Sequence, residues 1–167
     1  MEEARVLKKV AQKYQIPFVI NDNVAIAKEV DADGVHVGQG DMELKKAREI
    51  LGPDKIIGVS AHNVEEAVLA EKKRRRLSRC RGISRGTKEE AKVVDRETYQ
   101  AIRIAVSIPV VAIGGISLEN IGELKGYGVD GVALVSAIFA SRDIEGGMVH
   151  VSGKKWKRLL DKMMMWH

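Results

Sequence analysis

Polar residues follow the ends of several short apolar runs in this chain. Asn21-Asp22-Asn23 follows Phe18-Val19-Ile20, and Gln39 and Asp41 follow Val35-His36-Val37. Ser60 and His62 follow Ile56-Ile57-Gly58-Val59, Gly114-Gly115 follows Val110 to Ile113, and Ser136 follows Val132 to Val135. A buried parallel strand reads as a continuous apolar run, and α/β folds place ligands beyond the carboxyl ends of such strands. Two carboxylates there, Asp22 and Asp41, suit a Mg²⁺ that keeps several waters and is completed by substrate phosphates. Gly114-Gly115 lets backbone N–H groups approach a phosphate closely. Each residue also has a plainer reading. Asn or Asp before Val24-Ala25-Ile26-Ala27 is a good helix N-cap. His36, inside Val-His-Val, reads as a structural histidine, and Gly-Gly is often only a turn. Ser60 and His62 have no third member and no nucleophile elbow to make a hydrolase. Cys80 stands among arginines that could lower its pKa, but reads as an incidental thiol.

The elements that would position these residues alternate regularly. Residues 2–14 predict an amphipathic helix, with Val6, Leu7, Val10, Ala11 and Tyr14 at helical spacing. Strands are expected near residues 18, 35, 57, 110 and 132. Helices are expected over about 24–30, 42–51 (Met42, Leu44, Ala47, Ile50 and Leu51 inward), from Asn63 to about Ala70, over 95–106, and from Ser117 to about Tyr127. Another starts at Ser136. The tail 154–166, with Trp156, Leu159, Leu160, Met163 and Trp166 at helical spacing, reads as a packing helix. This β/α alternation, with a unit of roughly 20–25 residues, is typical of a (β/α) barrel. Two echoes support it: Ile16-Pro17 with Ile108-Pro109, and Asp33-Gly34-Val35 with Asp130-Gly131-Val132. In such barrels the loops after the last two strands commonly bind phosphate, which would place Gly114-Gly115 and Val135-Ser136 there.

The chain has 167 residues, 45% hydrophobic and 31% charged, enough for one domain with a core. No apolar run approaches a membrane span and no apolar signal segment opens the chain, so a cytoplasmic setting is expected. A single cysteine fits a reducing compartment. The net charge of +5 is local. Residues 72–88 hold nine basic residues and no acids, which leaves 19 basic against 23 acidic elsewhere. A nucleic-acid protein would more often spread its charge over a face. The pattern of the basic segment itself is neither helix nor strand.

In order and spacing, Ile-Asn-Asp, Gly-Val-His-Val-Gly-Gln-x-Asp, Ile-Gly-Val-Ser-x-His, Val-Ala-Ile-Gly-Gly-Ile and Val-Ser-Ala-Ile resemble the thiamine-phosphate synthase family. The resemblance covers about residues 1–71 and 87–150. It implies a transferase of thiamine biosynthesis with a TIM (β/α)8 barrel. Its reaction joins hydroxymethylpyrimidine diphosphate to a thiazole phosphate and releases pyrophosphate, with the pyrimidine C–O bond breaking before the thiazole nitrogen attacks. It also implies roles by matching position. Asp22 and Asp41 would bind Mg²⁺, Asn21 and Ser60 the pyrimidine diphosphate, and Lys88 its diphosphate. Gly115, Val135 and Ser136 would hold the thiazole phosphate, with Thr87 left from that site's threonine-rich loop. No catalytic residue is assigned. The related thiazole tautomerases lack the two-aspartate pattern, so Asp22 and Asp41 favour the synthase.

The chain departs from the family pattern in two places. The family begins with a strand, a helix and a second strand that ends in Gln-x-Arg-Glu-Lys. Met1 matches the start of the second helix, so residues 1–167 are expected to form a single partial barrel without the first two strands. In addition, an aberrant basic segment at 72–88 stands where the family has a strand like Gly-Ala-Asp-Tyr-Leu-Gly-Val-Gly-Ala. Arg74 to Ile83 can be encoded so that a one-base shift reads that family strand, and a frameshift over about 73–86 is the expectation. Open sheet edges and an incomplete core would then leave the chain poorly stable and impaired. The alternatives are a thiazole tautomerase-like protein, or a non-catalytic fragment whose basic loop binds RNA or another polyanion.

Overall fold

A computed structural model describes residues 1–38, 44–75, 80–84, 95–117, 120–139 and 164–166. The elements are α1 (Glu2–Lys13), β1 (Phe18–Asn21), α2 (Val24–Glu29), β2 (Gly34–Val37), α3 (Leu44–Leu51), β3 (Ile56–Ser60), α4 (Val64–Arg75) and β4 (Cys80–Ser84). They continue with α5 (Arg96–Ala105), β5 (Val111–Ile113), a 3₁₀ turn (Ile121–Leu124), β6 (Gly131–Ala133), α6 (Ser136–Phe139) and β7 (Met164–Trp166). Every strand pairing is parallel. One sheet has the order β4-β3-β2-β1-β7, and β5 and β6 pair separately. Parallel neighbours need a crossover between them, and the helices after β1, β2 and β3 supply it for the pairs β1–β2, β2–β3 and β3–β4. The architecture is α/β with TIM-like parallel sheets, and all five expected strands are present.

Two apolar clusters fill the interior. The first joins Phe18, Ile20, Val35, Val37 and Ile57 of β1–β3 to Ala11, Val24, Ala27, Leu44 and Ala47 of the covering helices. The second joins Tyr99 and Ile102 of α5 to Ile108, Val110 and Ala112 around β5 and to Ala67 of α4. Val35 and Ile57 have no exposed surface. Side chains of this size each stabilise the fold by about 1.5–3 kcal/mol when fully buried.

The internal echoes in the sequence become one hydrogen-bonding device used twice. Asp33 donates its N–H to the Phe18 carbonyl at 2.8 Å, and its carboxylate accepts the Phe18 N–H at 2.8 Å. Asp130 donates its N–H to the Val110 carbonyl at 2.7 Å and accepts the Val110 N–H at 2.9 Å. Each aspartate therefore pins the start of the preceding strand just before its own strand begins.

Several sequence expectations change. In α1 the core face is Ala4, Lys8 and Ala11, while Val6, Val10 and Tyr14 are exposed. Lys8 can lie inward because its ammonium meets Asp33 Oδ2 at 2.9 Å, so its stem packs and its charge is matched. In α3, Arg48 is buried and Ile50 is exposed. One Arg48 amine donates to the carbonyls of Gly52, Pro53 and Lys55, closing the helix end and shaping the entry to β3. Ser117 does not cap a long helix: its N–H donates to Asn120 Oδ1, and only a 3₁₀ turn follows.

The basic segment is not a gap in the sheet. Arg75 ends α4, and Cys80–Ser84 forms β4 beside β3, pairing Ile57↔Cys80, Val59↔Ile83 and Ser60↔Ser84 with a register shift between Ile57 and Val59. A ladder bonds backbone to backbone, so an unusual side-chain pattern does not prevent it. The tail is corrected too. Met164–Trp166 is a strand on the free edge of β1, not the end of a helix. That edge offers a row of backbone donors and acceptors that such a triplet can satisfy.

Candidate active site

β1 ends where Asp22 leaves the strand with a φ of 63°, a left-handed conformation that Asp tolerates better than most residues. Its N–H donates to the His36 carbonyl at 2.7 Å. Asn23 returns to extended backbone and caps α2, its Oδ1 accepting the Ile26 N–H at 2.9 Å. The two readings of Asn21-Asp22-Asn23 thus divide between residues. Asn23 makes the cap, and Asp22 is left exposed at the sheet rim. Asn21 Nδ2 donates to Asp22 Oδ2 at 2.8 Å, so the two side chains orient each other.

Ser60 ends β3 and is 8% exposed. Its Oγ lies 3.0 Å from Nε2 of His36, which is 5% exposed. Asn21, His36 and Gly58 stand side by side across β1, β2 and β3. A Cβ at Gly58 would sit 2.4 Å from His36 Nδ1, so the imidazole occupies the room that the glycine leaves. His36 therefore touches both neighbours, Asp22 through its carbonyl and Ser60 through its ring. His36 is buried, as a structural histidine would be, and its ring also contacts Ser60. The available signal for that contact was Gly58, a glycine inside an apolar strand, which marks close approach by something else.

His62 belongs to a helix terminus. Its N–H donates to Glu66 Oε2 at 2.7 Å, and its Nδ1 lies 3.2 Å from the same oxygen. Asn63 Oδ1 accepts the Glu66 N–H at 2.8 Å, completing a capping arrangement at the start of α4.

At the ends of β5 and β6 a second group assembles. Gly114 and Gly115 have φ of 104° and 61°. A Cβ on Gly115 would meet nothing within 4 Å, so glycine is needed there for backbone conformation and the loop faces open space. Asn120 Nδ2 braces the loop by donating to the Gly115 carbonyl at 2.8 Å. Val135 lies between β6 and α6, and its carbonyl accepts the N–H groups of Ile138 and Phe139 at 3.1 and 2.9 Å. Ser136 is the first residue of α6. The ladder pairs Ile113 with Ala133, so the Gly-Gly loop and Val135-Ser136 leave neighbouring strand ends. Gln39, Asp41, Thr87 and Lys88 lie outside the described residues.

Asp22 fits a hard cation: an exposed carboxylate on a pinned backbone, suited to an ion that uses one or two carboxylates and otherwise waters and phosphates. Among the described residues no group of three or more His, Cys, Asp or Glu forms a dedicated metal cage. A cavity of about 600 Å³ opens at the other end of the strands, lined by Lys8, Gln12, Gln15, Asp33, Asp54 and Lys55 among others. It lies away from the rim at which such folds place ligands. No helix among the described residues is long and apolar enough to cross a membrane.

A parallel α/β scaffold with polar residues at the strand ends is the architecture of the TIM-like class. Comparison with known proteins gives the family. The thiamine monophosphate synthase family matches residues 1–138. A thiamine-phosphate synthase of Clostridium acetobutylicum is 47% identical over 145 residues, 86% of this chain and 69% of the relative. One from Methanobrevibacter smithii is 45% identical over 141 residues, 82% of this chain and 66% of the relative. Among solved structures, a thiamine phosphate pyrophosphorylase from Pyrococcus furiosus superposes with a TM-score of 0.82 at 36% identity, over 91% of this chain and 73% of the other. A 3-hexulose-6-phosphate synthase, TM-score 0.63 at 18% identity over 90% of this chain and 79% of the other, shares the fold. The chain belongs to the thiamine monophosphate synthase family, and the activity that goes with membership is thiamine-phosphate synthesis, a transferase reaction.

Proposed function

We propose that the rim of β1–β3 and the ends of β5–β6 form the two halves of one transferase site. The first half binds hydroxymethylpyrimidine diphosphate through Asn21 and Ser60, with Lys88 on the diphosphate. The second binds the thiazole phosphate through Gly115, Val135 and Ser136, with Thr87 as a further ligand of that half. Asp22 and Asp41 would hold a Mg²⁺, which when bound supplies positive charge to the departing pyrophosphate. The bond between the pyrimidine methylene and its diphosphate oxygen breaks, that oxygen leaves with the pyrophosphate, and the thiazole nitrogen bonds to the methylene. The protein's own part is to orient both substrates so that a two-body reaction becomes one within a single complex.

The observation that carries this reading is the hydrogen-bonded row Asn21, Asp22, His36 and Ser60 on one strand rim. The exposed Gly115 loop beside Val135-Ser136 supports the phosphate half. The barrel is read as the (β/α)8 type in a single domain spanning 1–167, with the basic segment 72–88 in place of a family strand, and the setting as cytoplasmic. Mg²⁺-dependent release of pyrophosphate when both substrates are present tests the reading. Release should be lost in Asp22→Ala, and equal release from that variant would refute the assignment. The frameshift reading of 73–86 is tested by genomic DNA, where codons that cannot yield the family strand in another frame would end it.

A further inference from the structure

We infer that His36 is a positioning residue: its imidazole fixes the Ser60 hydroxyl for the pyrimidine substrate, an inference that rests on the substrate role proposed for Ser60. Three observations converge on it. His36 is buried and its Nε2 is 3.0 Å from Ser60 Oγ. Gly58, its neighbour in the ladder, is the residue whose lack of a Cβ admits the ring. The His36 carbonyl also accepts the Asp22 N–H at 2.7 Å. One residue of β2 thus spans the candidate metal ligand just after β1 and the candidate substrate ligand at the end of β3.

The physical consequence concerns rotamers. A serine hydroxyl can occupy three staggered positions about its Cα–Cβ bond and can rotate its proton in each. A bond to a ring held by packing selects one of them before substrate arrives. In one tautomer the ring donates to Oγ. In the other the ring accepts the hydroxyl proton. Either way the oxygen stays in one place, as outer partners do for groups that touch a ligand directly.

Glutamine and asparagine separate positioning from mere packing. In His36→Gln the side-chain amide reaches about where Nε2 lies, whereas in His36→Asn it stops near Nδ1 and cannot reach Ser60. The measurement is the Kd for hydroxymethylpyrimidine diphosphate in Mg²⁺ buffer by calorimetry, with thermal unfolding recorded on each variant. Ser60→Ala and His36→Asn should each weaken binding about tenfold. His36→Gln should stay within about threefold of the wild type. The double variant His36→Asn with Ser60→Ala should bind no more weakly than Ser60→Ala alone. Wild-type affinity in His36→Asn, or a further tenfold loss in the double variant, overturns the positioning role. Wild-type affinity in Ser60→Ala, or no binding by the wild-type chain, overturns the underlying site and this inference with it.

Discussion

The units α1-β1-β2 and α5-β5-β6 carry the same device in different surroundings. In each, an Ile-Pro pair leads into a strand, and an aspartate before the next strand bonds back to the first strand's entry. In each, a basic residue from the preceding helix faces that aspartate. Lys8 is buried and sits 2.9 Å from Asp33. Arg103 is partly exposed and stands 3.9 Å from Asp130. The backbone clamp is therefore a local property of the repeated sequence, while its electrostatic weight is set by how deeply the partner is buried. Losing Asp33 strands a desolvated ammonium. Losing Asp130 leaves a guanidinium that water can reach.

Four perturbations would break or sharpen that contrast. Gly34→Ala should be the most damaging, about 3 kcal/mol by urea unfolding, because the new Cβ would lie 2.3 Å from the Ile56 carbonyl oxygen, a backbone atom with little room to move. Asp33→Ala should cost about 2 kcal/mol, the loss of two bonds plus the unmatched Lys8. Asp130→Ala should cost about 1 kcal/mol by the same assay, and a loss equal to that at Asp33 would show that the clamp alone matters. Asp31→Asn, which removes a more exposed ion pair with Lys55, should change stability by less than about 0.5 kcal/mol.

The pH dependence of the Asp33 unit has a definite sign. Burial raises the Asp33 carboxyl, but the Phe18 N–H, the Lys8 hydrogen bond and charge, and the Lys55 charge together hold it below its ordinary value of 3.8. A carboxyl lowered on folding adds stability that is present above the unfolded value and is lost as pH falls through the folded one. The stability difference between the wild type and Asp33→Asn should therefore be constant at neutral pH and shrink as pH falls below about 4. A difference that grows in acid would contradict the ion-pair account.

Much of this fold was legible because it is local. The five apolar runs became strands, and Asn23, Asn63 and Asp95 cap helices as their types imply. What the sequence hid depended on tertiary partners. Lys8 turns inward and Val6, Val10 and Tyr14 outward because Asp33 arrives from 25 residues away. β4 and β7 form because β3 and β1 offer them edges, which no side-chain pattern records. The candidate site was legible only as a list of residues at strand ends. Its wiring was not, since the bond from His36 to Ser60 depends on strand register and on the space above Gly58.

In the proposed site Asp22 serves a cation that carries the pyrimidine diphosphate. Titration of that substrate into the protein over a range of Mg²⁺ concentrations tests it most directly, with Asp22→Asn as the comparison. Asparagine tolerates the left-handed backbone found at Asp22, so the substitution removes charge without disturbing the turn. Affinity should rise with Mg²⁺ in the wild type and become nearly independent of Mg²⁺ in Asp22→Asn. The same Mg²⁺ dependence in both proteins would contradict the account.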